Sequence, residues 1–112
     1  MTTLQVERVD ELIRKFSISG HAGFADAGSD IVCAAISVLM TTCVNALESV
    51  GGIVAMVEQD ERNALMALTL PELSGKQAMH DAQIILRTGL QGFEDISMAY
   101  PKYFTIVDRR KK

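Results

Sequence analysis

The stretch GSDIVCAAISVLMTTCVNALESVGG, residues 28–52, predicts a long helix because its apolar and small residues recur at helical spacing. Ser29 and Asp30 supply side-chain oxygens that can accept hydrogen bonds from the unpaired N–H groups at a helix start. Gly51 and Gly52 are typical of a helix end. The expected core-facing stripe of this helix consists of Ile31, Ala34, Ala35, Val38, Leu39, Thr42 and Ala46.

The residues before this helix alternate between apolar and polar side chains, which is the pattern of strands with one solvent-exposed face. Leu4 and Val6 share one face of the first run, and Phe16 and Ile18 share one face of the second. The alternation predicts a β-hairpin. A loop over residues 20–28, which contains three glycines, then leads to the helix that Ser29 and Asp30 open.

The residues after the helix predict a second hairpin, with apolar runs at 53–58 and 64–70 around a polar turn at 59–63. Next comes a second helix, in which Ser74 and Gln77 have the spacing of a capping box. It is expected to end near Ala99, before a Tyr-Pro pair. Its predicted core stripe consists of Ala78, Ala82, Ile85, Leu86, Gly89, Leu90 and Phe93.

Residues 103–107 alternate again and predict a final strand, and residues 109–112 are a basic run that we expect to be a solvated tail. The order ββαββαβ indicates an α+β fold, a two-layer sandwich of a mostly antiparallel sheet with two helices on one face. A chain of 112 residues without repeats has room for one core, so residues 1–112 are expected to form a single domain.

Composition and charge exclude several classes of protein. Lys and Arg number 11 against 14 Asp and Glu, and this acidic balance argues against direct binding of nucleic acid. The chain opens with charged residues rather than a signal peptide, and the apolar block at 31–40 is half the length of a membrane span. We therefore expect a cytoplasmic protein with no membrane contact.

The chain has two cysteines, Cys33 and Cys43. On one helix they would lie about 15 Å apart at 1.5 Å per residue, which is beyond the roughly 7 Å that a disulfide spans. Together with His21 and His80 they are four scattered soft ligands without the spacing of a zinc site. No metal and no cofactor are expected.

Cys33 and His21 are the candidates for chemistry. A cysteine in the first turn of a helix has its thiol pKa lowered by the helix terminus, and His21 stands across a loop that could bring its imidazole to that thiol. Such a pair is a sulfur nucleophile with a built-in acid for the leaving group. A cysteine among apolar residues is more often a small core residue, so spacing leaves both interpretations open. Cys43 is expected in the core and His80 on the surface.

The residues around this pair resemble a known signature. It consists of GHA at 20–22, a glycine at 28, DIVCAA at 30–35 and a serine at 37, with YPKY at 100–103. This pattern is similar to that of the ribosomal-processing cysteine protease family, called Prp, and the likeness in element order covers the whole chain. The resemblance implies a homodimeric cysteine endopeptidase that removes the N-terminal extension of a large-subunit ribosomal protein precursor.

The resemblance also implies roles for residues. It makes His21 and Cys33 the catalytic pair and includes Asp30 and Ser37 in the motif. Ser37, one helical turn after Cys33, could bond the thiolate or the substrate. Asp30 could anchor the loop or orient His21. The remaining supporting positions are Gly20, Ala22 and Gly28. The alternative is a non-catalytic ribosome-assembly or scaffold module in which Cys33 is structural.

Overall fold

The computed structural model describes residues 1–20 and 27–111, except for the side chains at 27–30 and 110–111. The elements are β1 (Thr2–Val9), β2 (Leu12–Ser19), α1 (Ala27–Ser49), β3 (Met56–Asp60), β4 (Leu65–Thr69), α2 (Lys76–Ala99) and β5 (Phe104–Lys111). The five strands form one sheet in the order β3-β4-β2-β1-β5. Only β1 and β5 pair in parallel among these neighbours. The predicted order ββαββαβ and the α+β class are confirmed.

The first hairpin follows the predicted alternation. Val6 pairs with Phe16 and Leu4 with Ile18, and all four side chains are buried on the helix side of the sheet. The register shifts between Glu7 and Arg8, at a bulge near the hairpin turn.

A buried glutamine of α2 completes the hydrogen bonds of β2 beside that bulge. The Gln83 side-chain oxygen accepts from the Ile13 N–H at 2.7 Å, and its amide nitrogen donates to the Ile13 carbonyl at 2.9 Å. This pair of bonds ties α2 to the sheet at a place where a strand partner is displaced.

The predicted core stripe of α1 is wrong by a rotation of the helix. Ile31 and Val38, both expected to be buried, are 54% and 67% exposed. The helix is apolar on most of its circumference, so the 3.6-residue period alone does not select the face that meets the sheet. The side chains that α1 buries are Val32, Ile36, Met40, Cys43 and Leu47.

The same composition gives α1 a second property. Ile31–Ser49 is the one segment of the described chain that is long and apolar enough to cross a membrane, with a mean hydropathy of 1.8. In this structure one face of that segment packs into the core.

Helix α2 confirms its predicted stripe and its end at Ala99. The predicted capping box is wrong, because Gly75 is the N-cap and no side chain caps the helix start. Gln77 instead donates from its side chain to the Asp81 carboxylate at 2.8 Å, one turn further on. Gly75 has a φ of 93°, a backbone conformation that favours glycine. The chain therefore turns into the helix at Gly75 and not at Ser74.

Two strand boundaries also differ from prediction. β3 begins at Met56 rather than at residue 53, because Ile53 turns into the core directly after the end of α1. β5 extends to Lys111, so the expected tail from residue 109 is part of a strand. The reason is the parallel pairing with β1, supported by an ion pair of 2.8 Å between Arg8 and Asp108.

Candidate active site

A cleft of about 200 Å³ lies between the N-terminal half of α1 and the end of the sheet. It brings together three of the predicted site residues, Cys33, Ser37 and Gly20. The other described residues that line it are Thr2, Ile18, Ile36, Gln59, Asp60, Glu61, Ala64, Leu65 and Met66.

Cys33 reaches this cleft as a free, partly exposed thiol. Its position follows from its neighbours, because Val32 is fully buried and Ile36 is 3% exposed, which sets the rotation of the helix. The predicted place of Cys33 in the first helical turn is wrong. The helix begins at Ala27, six positions earlier, and the influence of a helix terminus falls off within one turn.

Ser37 lies four residues after Cys33 and is exposed at the same cleft. Positions four apart on a helix share a face, and both residues line the cleft, as expected from their spacing. Its hydroxyl can donate to and accept from a bound group.

Gly20 directly follows β2 at the cleft, and only glycine fits there. Its φ is 92°, and a Cβ at this position would lie 2.6 Å from the backbone oxygen of Met1. Gly20 therefore sets the direction in which the chain leaves the sheet towards residue 21.

The remaining predicted site residues are described in part or not at all. His21 and Ala22 lie outside the described residues, as does most of the expected loop. Gly28 and Asp30 belong to the first turn of α1, so the prediction that Gly28 is a loop residue is wrong. The helix begins at Ala27, two residues before the expected start at Ser29.

The opposite wall of the cleft was not predicted. It is the turn between β3 and β4, where the Asp60 carboxylate accepts from the Asn63 side chain at 2.7 Å and from the backbone N–H groups of Asn63 and Arg62. These hydrogen bonds lower the pKa of Asp60, and the bond from the Asn63 side chain has the largest effect. An Asp followed by Asn three residues later indicates such a turn, but sequence does not show that it faces α1.

The second cysteine and the second histidine behave as predicted. Cys43 is 3% exposed, and burial raises the pKa of its thiol to about 11. His80 is exposed on α2. Neither residue lines the cleft that holds Cys33.

Comparison with known proteins places this site in a family. The family model of the cysteine protease Prp matches residues 1–105. The chain is similar to the ribosomal processing cysteine proteases Prp of Bacillus subtilis, at 29% identity over 81% of both chains, and of Mycoplasma pneumoniae, at 30% identity over 87% of this chain and 89% of that one.

The fold agrees with a solved structure of the essential ribosomal processing protease Prp from S. aureus in complex with a substrate peptide. The TM-score is 0.85 at 23% identity, covering 97% of this chain and 100% of that one. Since the family model covers nearly the whole sequence and the accessible cysteine stands at a cleft, this chain belongs to the cysteine protease Prp family.

Proposed function

We propose that the protein is a cysteine endopeptidase that removes the N-terminal extension of a large-subunit ribosomal protein precursor, with Cys33 as nucleophile and His21 as general base. The observation that carries the proposal is the contrast in access between the thiols. Cys33 is partly exposed at a cleft, whereas Cys43 is buried. Family membership supplies the class of reaction.

The proposed reaction has two halves. The Cys33 sulfur attacks the scissile carbonyl carbon, while His21 takes the thiol proton and passes it to the leaving amine as the peptide C–N bond breaks. Water then attacks the thioester that remains, with His21 accepting a proton from it, and releases the carboxylate product and the thiol. These steps require neither a metal nor a cofactor.

The cleft has features that suit a peptide. Its walls include apolar side chains of Ile18, Ile36 and Met66, which can accept an apolar substrate side chain. Asp60 and Glu61 stand at one end, and no Lys or Arg is among the described lining residues. A negative rim of this kind favours a basic peptide such as a ribosomal protein tail.

The test is incubation of the purified protein with the full-length precursor, followed by intact-mass measurement. We expect one cut that releases the N-terminal extension. The two histidines allow a matched comparison: His21→Ala should lower the cleavage rate by about a hundredfold or more, the usual contribution of a general base. His80→Ala, at an exposed site on α2, should not change it. An uncut precursor, or equal effects of the two substitutions, would contradict the proposal.

We further propose that the protein acts as a homodimer, with the outer face of α1 and α2 as the contact. This face exposes Ile31, Val38 and Ile84, each at least half accessible, beside an apolar groove between the two helices. Contiguous exposed apolar surface is typical of protein–protein contacts. A second copy of the chain is the occupant that the family resemblance suggests.

Sedimentation velocity tests the dimer. Val38→Glu places a charge on the proposed contact and should yield monomers. Val54→Glu, at a comparably exposed valine between α1 and β3, should leave the dimer intact. A monomeric wild type, or equal behaviour of the two variants, would refute this surface.

The proposed location is the cytoplasm, without contact with a membrane or nucleic acid. Both cysteines are free, and free thiols persist in the reducing conditions of that compartment. The excess of acidic over basic residues supports the absence of a nucleic-acid role.

A further inference from the structure

One hydroxyl group in the cleft has no structural explanation in the fold. Thr2 is 3% exposed, and its Oγ1 makes no hydrogen bond in the part of the chain that the structure describes. Its backbone is satisfied separately, because the Thr2 N–H donates to the Tyr103 carbonyl at 3.0 Å. Nearly all buried polar groups in proteins have a partner, and one without a partner costs stability.

The position of Thr2 in β1 makes the hydroxyl more unusual. The inward-facing residues of this strand alternate as Thr2, Leu4 and Val6, all buried on the helix side of the sheet. A valine would fill the first place as well as a threonine and would leave no polar atom unbonded. Thr2 is also the member of this stripe that lines the cleft with Cys33.

We infer that Thr2 is a substrate-binding residue, whose Oγ1 forms a hydrogen bond with the main chain of the peptide in the Cys33 cleft. The inference rests on the proposed protease function. A hydroxyl both donates and accepts, so it can bond a peptide N–H or a C=O whatever the side chain. The contact would therefore fix where the peptide lies along the cleft rather than which residue it carries.

The dimensions of the cleft agree with an extended peptide. Thr2 is on β1 and Asp60 is on β3, with β2 and β4 between them. Three strand spacings of about 4.8 Å amount to roughly 14 Å, which is the length of about four extended residues at 3.3 Å each. A peptide across the strand ends thus has its main chain bound at the Thr2 end while its side chains meet the acidic end.

Peptide binding to inactive enzyme tests the inference. All variants carry Cys33→Ala, so that binding is measured without cleavage, and the probe is a fluorescein-labelled peptide spanning the junction of the ribosomal protein precursor. Adding Thr2→Val should raise the Kd about three- to tenfold, the usual effect of losing one neutral hydrogen bond. Thr2→Ser keeps the hydroxyl and should bind like the parent. Thr3→Val, on the opposite face of β1, is the matched control.

Stability provides the second measurement. Because the Thr2 hydroxyl makes no hydrogen bond within the described part of the chain, Thr2→Val should keep or raise the melting temperature while it weakens peptide binding. Replacing single amides of the probe with esters should then locate the contact. One ester should weaken binding to the parent but not to Thr2→Val, since the bond is already lost there.

The outcomes separate the inference from the proposed function. If the Cys33→Ala protein binds no peptide, the proposed function fails and the inference fails with it. If it binds the peptide and Thr2→Val binds equally, only the Thr2 inference is overturned. A melting temperature that falls for Thr2→Val but not for Thr3→Val would also overturn it, because the hydroxyl would then have a structural partner.

Discussion

The two cysteines of α1 stand ten residues apart on the same helix and lie in opposite surroundings. Cys33 opens onto the cleft at the end of the sheet, partly exposed. Cys43 is buried against α2, where its sulfur contacts Gly89. Ten residues at 100° each leave the two side chains about 80° apart around the axis, enough to turn one towards the core and the other to its edge.

This comparison shows that the surrounding elements, more than the local sequence, decide what a thiol can do. Both cysteines have small or β-branched neighbours on the helix. Over Cys43 the second helix excludes water, and burial raises the pKa of the thiol to about 11. Beside Cys33 the helix faces the β3–β4 turn across the cleft.

Alanine at each cysteine should give the largest difference. Cys33→Ala removes the proposed nucleophile and should lower precursor cleavage by at least about a thousandfold, as loss of a covalent catalyst does. Cys43→Ala should cleave at near the wild-type rate and lose about 1 kcal/mol of stability or more, as a small core truncation does. Cleavage assays and urea unfolding measure the two effects. Substantial turnover by Cys33→Ala would refute the assigned nucleophile.

Alkylation compares the two thiols directly. With a pKa of about 11, only about one Cys43 in ten thousand is ionised at pH 7, and the side chain is buried as well. We expect native protein treated with iodoacetamide to gain one adduct, on Cys33, as shown by peptide mass mapping. In urea both cysteines should react. An adduct on Cys43 in native protein would show that the two environments differ less than the structure indicates.

Much of the fold was predictable because its signals are local. Strands β1 and β2 and helix α2 each have one solvent-exposed polar face and one apolar face. The predictions made from this contrast are confirmed. Helix α1 lacks that contrast, so the pattern predicted a helix but the wrong buried face. The predicted cap of α2 was wrong for a different reason. Ser74 matches a capping pattern, but the backbone turns into the helix at Gly75 instead.

The site was predictable only as far as its motif extends along the chain. The motif identified Cys33, Ser37 and Gly20, and the structure places all three at one cleft. Thr2 and the Asp60 turn are far from them in sequence. They line the cleft because the strand order β3-β4-β2-β1 brings the start of β1 and the β3–β4 turn to the same end of the sheet. Long-range pairing of this kind leaves no periodic signal in a single sequence.

A methyl group at Gly89 should test how tightly Cys43 is enclosed. The Cβ of Gly89→Ala would collide with the Cys43 sulfur, which is buried and has little freedom to move. Overpacking of this kind costs about 1–3 kcal/mol, against a gain of up to about 1 kcal/mol from alanine's helix propensity. We expect a net loss in urea unfolding.

Two further variants complete that measurement. Cys43→Ala in the Gly89→Ala background removes the sulfur and should recover part of the loss. Gly92→Ala is the control, because its Cβ would meet the far end of the half-buried Leu39 side chain at 2.7 Å, and that side chain can rotate away. If the Gly89 and Gly92 variants are equally stable, the space around Cys43 is looser than described.

The smallest expected effect is a dependence of stability on alkaline pH. Burial raises the pKa of Cys43 from 9.0 to about 11, so the folded protein keeps this proton at pH values where the unfolded chain loses it. The stability from the buried thiol is therefore fully present below pH 9 and declines as the pH rises through about 11. Between pH 8 and pH 10 this should cost about 1 kcal/mol. Urea unfolding of wild type and Cys43→Ala at both pH values isolates the contribution, because the two proteins differ only in this thiol. If both lose the same free energy over this range, the Cys43 thiol ionises as readily in the folded protein as in the unfolded chain, and the contrast with Cys33 then depends on access alone.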